Sequence, residues 1–249
     1  MAKDAWPRHH SALACAFNIE RVHRPITAMP VVLSIIGQKG GVGKSTLARA
    51  ISVVGVQGNL RVRLIDLDIG QQTSVRWSTT RASAHDGQKV DAAAFATVAD
   101  ALKHVQDIDL VVIDTPGHLS PETFEVARAS DIIVLPTGTS TDDLYPTTLL
   151  LYELEQIGIP RDRLCVALCR ILDAKEERGA RRYLESTGYS PLGGSLPERL
   201  GYRRAHNRGK SVTETGEQAL NERANELMAS VLRKILRHVR AANGVYSSS

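Results

Sequence analysis

Aromatic side chains are scarce in this 249-residue chain: three Phe, six Tyr and two Trp make up 4% of it. A recognition surface built from stacked rings is therefore not expected. Cysteine is as scarce. Cys15, Cys165 and Cys169 have no metal-ligand spacing, and the last two flank an apolar run that reads as a core strand. Buried thiols are therefore expected, and a reducing cytoplasm fits them. No apolar run approaches the length of a membrane span. The first residues hold no continuous apolar stretch, so no signal peptide is expected. The net charge of +4 permits an anionic partner without demanding one. With 43% hydrophobic and 23% charged residues, the chain has the composition and the length for one large globular domain.

The stretch that organises the chain is residues 37–46, Gly-Gln-Lys-Gly-Gly-Val-Gly-Lys-Ser-Thr. The apolar run at 31–36 before it reads as a buried strand, and residues 47–51 after it read as the start of a helix. Strand, glycine-rich turn and helix together form a phosphate cradle. Small residues let successive N–H groups face an anion, and the helix adds its positive dipole end. Gly40, Gly41, Val42, Gly43, Lys44, Ser45 and Thr46 are the candidate phosphate ligands. Lys44 would reach the β- and γ-phosphates, and Ser45 would place its hydroxyl on Mg²⁺. The plain pattern asks for glycine at position 38, where Gln38 stands, and a second lysine, Lys39, opens the loop.

The run Lys-Gly-Gly-Val-Gly-Lys-Ser resembles the deviant Walker A motif of the ParA/MinD family of dimeric ATPases. The resemblance implies that Lys39 crosses the dimer interface to the partner subunit's nucleotide, joining Lys44 as a catalytic group. Residues 61–68 read as a second strand, ending in Asp66 and Asp68. The segment at 66–72 resembles the family's second motif, which implies that Asp68 orients the attacking water and Asp66 stands on the Mg²⁺ side. A plainer reading leaves Asp68 as the cap of the segment after it. Trp77 follows at a spacing similar to that of short, plasmid-type members. Residues 109–114 form a third apolar strand, ending in Asp114. That is the Walker B arrangement, in which the carboxylate holds Mg²⁺, usually through water. The following Asp-Thr-Pro-Gly resembles the segment that senses the γ-phosphate.

Residues 79–90 are small and polar and read as a surface loop. A short strand is expected at 90–95 and helical spacing at 98–105. Helices at 121–129 and 142–157 alternate with apolar strands at 131–136 and 164–169. The expected fold is a doubly wound α/β architecture, a mostly parallel sheet with helices on both faces. Where many family members carry an adenine-reading asparagine, this chain has Cys169-Arg170. The loop at 194–199, with Pro197 and Arg199, resembles the family's base-wrapping segment. Residues 201–214 resemble the tail of partition ATPases. The last helix, expected over about 217–241, carries an apolar stripe of Leu220, Leu227, Val231, Ile235 and Val239.

Arg233, Arg237 and Arg240 form a basic stripe on roughly the opposite face. It reads equally as a solvated face or, with Arg203, Arg204, Arg208 and Lys210, as a non-specific DNA surface. A membrane-surface helix is a weaker third reading, because the apolar stripe lacks Phe and Trp.

The expected organisation is a poorly ordered extension at 1–28, an ATPase domain at 29–241 and a flexible tail at 242–249. Taken whole, the resemblance implies ATP and Mg²⁺ as cofactors, a homodimer with ATP between its subunits, and non-specific DNA binding. It further implies a ParB-like centromere-binding partner and a cytoplasmic, nucleoid-associated role in plasmid or chromosome partition. The alternatives are a MinD-like or other positioning ATPase at a membrane or cell-pole machine, a conjugative-transfer accessory ATPase, and a metabolic enzyme of the same superfamily.

Overall fold

Among the described residues seven strands make one sheet: β1 (Val31–Ile35), β2 (Val62–Asp66), β3 (Asp91–Ala94), β4 (Leu110–Asp114), β5 (Ile132–Thr137), β6 (Leu164–Ile171) and β7 (Leu196–Pro197). Every pairing is parallel, in the order β3-β2-β4-β1-β5-β6-β7. The computed structural model describes residues 29–84 and 88–246; the extension expected at 1–28 lies outside them. The central strands β1, β4 and β5 are buried along their whole length. Their continuous apolar runs follow from that, since a parallel sheet covered on both faces leaves no side for polar alternation.

Eight α-helices lie among the described residues: α1 (Lys44–Gln57), α2 (Thr73–Ser83), α3 (Val98–Leu102), α4 (Pro121–Arg128), α5 (Thr141–Gln156), α6 (Ala174–Ser186), α7 (Leu200–His206) and α8 (Gln218–Tyr246). They bury the sheet in two separate cores. On one face, Leu47 and Ile51 of α1, Trp77 of α2, and Leu227 and Val231 of α8 pack over Leu33, Leu64, Val112 and Val134. On the other, Val98, Val126, Leu150, Leu154 and Leu184 from α3, α4, α5 and α6 pack over Ile65, Ile113, Ile133 and Leu135.

β1 lies between β4 and β5, so the chain winds outward from it in both directions. Such a switch point opens a crevice at the carboxyl ends of the strands, where ligands of open α/β sheets bind. Register sharpens the point: Asp114 pairs with Ile35 on one side and with Asp66 on the other. The glycine loop and two carboxylates thus emerge at one level of one edge.

Two segments depart from the sequence expectation. Residues 79–83 continue α2 to Ser83 instead of forming a loop. The inward face of α2 is Ser74, Trp77 and Arg81, a helical spacing whose polar members hide it in a hydropathy pattern. Arg81 is buried and forks onto Glu214, with Nη1 to Oε2 at 2.7 Å and Nη2 to Oε1 at 2.8 Å. At the far end, α8 runs past residue 241 to Tyr246, through part of the segment expected as a flexible tail.

Candidate phosphate-binding site

The backbone between β1 and α1 turns through two conformations that favour glycine, at Gly41 (φ 74°) and Gly43 (φ 118°). Gly43 also lacks room for a side chain, because a Cβ there would stand 3.3 Å from Cys169 Sγ. The first intrahelical bond of α1 runs from Leu47 N to Gly43 O (2.9 Å). The amides of Lys44, Ser45 and Thr46 precede that bond, so they are donors without intrahelical partners. Lys44 is buried and folds back over the loop, donating to Gly37 O at 3.1 Å and Lys39 O at 2.7 Å. Burial pulls the pKa of its ammonium down, opposed by the negative field of Asp114.

Asp114 is buried, and loss of water pushes its carboxyl up to about 6 against the pull of the Ser74 and Ser45 hydroxyls. Its Oδ2 accepts Ser74 Oγ at 2.7 Å, whereas its Oδ1 has no hydrogen-bond partner. A buried oxygen left in this state beside a serine hydroxyl fits a hard cation. No three His, Cys, Asp or Glu side chains are grouped to hold a metal among the described residues. The arrangement suits Mg²⁺, which keeps waters and takes oxygens from a bound phosphate.

Asp66, the other expected metal-side acid, is engaged within its own loop. Oδ1 accepts the amide of Asp68 (3.0 Å) and Oδ2 that of Ser74 (2.8 Å). Asp68 caps the turn after it: its Oδ1 accepts Gln71 N at 3.0 Å and its carbonyl accepts Gln72 N at 2.7 Å. Behind Asp114, Gly117 packs beside the phosphate loop, where a Cβ on it would make ordinary contact with Gly40 Cα at 3.5 Å.

Lys39 crosses to α5 of its own chain, where Nζ lies 2.9 Å from Asp143 Oδ1. Ser140 Oγ holds the other oxygen of Asp143 at 2.7 Å. Burial opposes the charge on Asp143, but the Lys39 and Ser140 hydrogen bonds outweigh it and keep the carboxyl below its ordinary range.

At the end of β6, Arg170 adopts a left-handed backbone (φ 58°) and its Nε donates to Glu198 Oε2 at 2.9 Å. The loop carrying Glu198 is zipped onto that strand by Glu198 N to Ile171 O (2.9 Å). Pro197 is buried in this seam, and Arg199 is exposed with Nη1 on Glu198 O at 2.8 Å. In the register of this seam Pro197 pairs with Ile171, and Leu196 pairs with Cys169, the residue under Gly43.

The seven basic residues expected on one surface are all exposed, but they fall into two sets. Arg203, Arg204, Arg208 and Lys210 lie on or just after α7, whose Tyr202 hydroxyl donates to Leu220 O (2.9 Å) near the start of α8. Arg203 lies within 3.7 Å of Glu198. Arg233, Arg237 and Arg240 lie toward the other end of α8, where His238 Nε2 is 3.3 Å from Asp131 Oδ1 at the beginning of β5. From Leu220 to Arg237 the helix advances roughly 25 Å. The sets lie toward opposite ends of α8.

Three residues of the site escaped sequence reasoning. Ser74 looks like an ordinary helix-start residue, Arg49 like one side chain of an amphipathic helix, and Asp143 like an acid in the first turn of α5. Only Asp142-Asp143 after Ser140 carried a local signal, and it reads as helix-end electrostatics.

A glycine loop between a parallel strand and a helix, with two strand-end carboxylates in register beside it, defines a P-loop nucleotide-binding domain. The model of the CobQ/CobB/MinD/ParA nucleotide binding domain matches residues 33–212, and the chain belongs to that family. Maintenance of carboxysome distribution protein A of Gloeobacter kilaueensis is 34% identical over 121 residues, 48% of this chain and 55% of that one, so the match spans about half that relative's length. The chromosome-partitioning ATPase Soj of Thermus thermophilus is 25% identical over 238 residues, covering 80% of this chain and 96% of that one. Among solved structures, an ATP complex of McdA from Cyanothece superposes with a TM-score of 0.66 at 18% identity, covering 82% of this chain and 97% of that one. That level of identity speaks to fold alone.

Proposed function

We propose that this protein is an ATPase that dimerises on ATP and serves in DNA partition, cycling on and off DNA as the nucleotide is hydrolysed. The observation that carries the reading is the second lysine. Lys39 stands at the mouth of a loop whose own Lys44 already covers the phosphate seat. A lysine held there by one partly exposed carboxylate is free to serve a nucleotide brought from outside its own subunit. The family membership and the similarity to Soj support the partition reading.

In this proposal the amides of residues 40–46 and Lys44 bind the phosphates of ATP. Ser45 and Asp114 would hold Mg²⁺, with Asp66 fixing the neighbouring loop, and the ion would supply charge neutralisation at the phosphates. Asp68 positions the attacking water, and Lys39 contributes its charge across the dimer. Catalysis is then chiefly positioning and charge stabilisation. Pro197 and Arg199 border the base. The DNA surface would be the Arg203–Lys210 set, the Arg233–Arg240 set, or both in the dimer, and a ParB-like partner would stimulate release. The expected setting is the nucleoid of the cytoplasm.

The test is binding to random-sequence duplex DNA with ATP, with ADP and without nucleotide, at two salt concentrations. The proposal expects ATP-dependent, salt-sensitive binding. Arg203→Ala/Arg204→Ala and Arg233→Ala/Arg237→Ala, tested separately, show which set carries it. Absence of DNA binding in every state sinks the partition reading. The similarity to a carboxysome distribution protein supports a second reading, an ATPase that positions a protein cargo. No described helix is long and apolar enough to cross a membrane. Flotation with anionic vesicles separates a membrane-anchored positioner from both readings.

A further inference from the structure

Ser74 joins three parts of the site. It sits in the first turn of α2 and is fully buried. Its amide donates to Asp66 Oδ2 (2.8 Å), its hydroxyl donates to Asp114 Oδ2 (2.7 Å), and the same hydroxyl oxygen accepts Arg49 Nε at 3.3 Å. A hydroxyl has one proton to give. Arg49 can only donate, so its presence behind Ser74 turns that proton toward Asp114. The guanidinium is itself held 5.7 Å over the Trp77 ring. The donor direction therefore runs Arg49 to Ser74 to Asp114 without ambiguity.

The consequence falls on Asp114. Its Oδ2 is tied, so the carboxylate cannot rotate freely, and the oxygen left without a partner is Oδ1. Asp66, bound to the Ser74 amide, is fixed by the same residue. One residue on a helix outside the phosphate loop thus touches both carboxylates, with its backbone amide on the one ending β2 and its side chain on the one ending β4. We infer that Ser74 is a positioning residue for the magnesium–nucleotide complex, acting through Asp114, and that Arg49 keeps its hydroxyl in the donating orientation. The inference rests on the reading that the chain binds ATP with Mg²⁺. Outer-shell partners of metal-binding carboxylates typically change metal affinity about 10–100-fold.

The experiment measures ATP affinity of the full chain by calorimetry, in excess Mg²⁺ and in EDTA, with the ratio of the two as readout. Ser74→Ala should bind ATP in EDTA within about twofold of the parent, while its magnesium-dependent gain falls about tenfold. Arg49→Leu should lose part of the gain, and Arg49→Gln, which keeps an N–H donor, should retain it. A parental magnesium gain in folded Ser74→Ala overturns the inference, as does an equal loss in EDTA and in Mg²⁺, the mark of a merely structural residue. Should Ser74→Ala fail to fold, a parental gain in Arg49→Leu overturns it instead. A parent chain that binds no ATP under either condition removes the nucleotide reading itself, which is a distinct result.

Discussion

Lys39 Nζ lies 2.9 Å from Asp143 Oδ1, so the lysine that opens the phosphate loop is tied to α5 of its own subunit. The two side chains are 43% and 25% exposed, and a pair so placed contributes about 1 kcal/mol or less. The tether is strong enough to choose a rotamer and weak enough to release it. Asp143→Ala should leave the thermal midpoint within a few degrees of the parent, yet favour the ATP-dependent dimer several-fold. Sedimentation velocity with ATP checks this. Unchanged or weaker dimerisation would show that the contact does not compete with association.

Lys44 is buried and its ammonium rests on two carbonyls of its own loop. Phosphate oxygens would replace those acceptors with charge-assisted bonds of about 1.5–3 kcal/mol each. Lys44→Ala should weaken ATP binding about 100-fold or more while leaving the fold intact, as read by calorimetry and circular dichroism.

Gly209 is a packing requirement remote from the phosphates. Its φ is +69°, and a Cβ there would stand 2.5 Å from Arg81 N. Backbone cannot step aside as a flexible side chain can. Gly209→Ala should cost about 2–4 kcal/mol in urea unfolding. Gly216→Ala, which would meet nothing within 4 Å, should change stability by about 0.5 kcal/mol or less.

His206 is pushed down to about 4 by burial and by the nearby positive charge of Arg49, and its Nε2 has no hydrogen-bond partner. Its folded pKa is below the unfolded value of about 6.5, so the unfolded chain takes up the proton first as pH falls. Stability is unaffected by this group above about pH 6.5 and is lost progressively down to about pH 4. The loss attributable to it is on the order of 3 kcal/mol. His206→Gln should flatten that limb of the stability–pH curve, measured by thermal melts from pH 7.5 to 4.5.

The phosphate loop, the strand-end acids Asp66 and Asp114, and the alternation of strand and helix were all legible in the sequence. Each rests on a local rule: glycine for a turn, a lysine and a serine at fixed offsets, an apolar run for a strand buried on both faces. Local rules survive without coordinates because the residues concerned are neighbours along the chain. The α2 helix was not legible in the sequence, because its inner face is Ser74, Trp77 and Arg81, whose hydrogen-bonding partners, Asp114, Lys210 and Glu214, are far away in sequence. The same distance hid the Lys39–Asp143 tie and the Arg49–Ser74–Asp114 line. It also hid the division of the basic residues between the two ends of α8, since Arg203–Lys210 come to the start of that helix only through the packing of α7. The sequence by itself determined that a glycine-rich turn with a lysine and a serine at fixed offsets would join a strand to a helix, within a mostly parallel sheet. The tertiary structure alone decided which oxygen of Asp114 is left unpaired, because a hydrogen bond between residues on different elements exists only after the chain has brought them together.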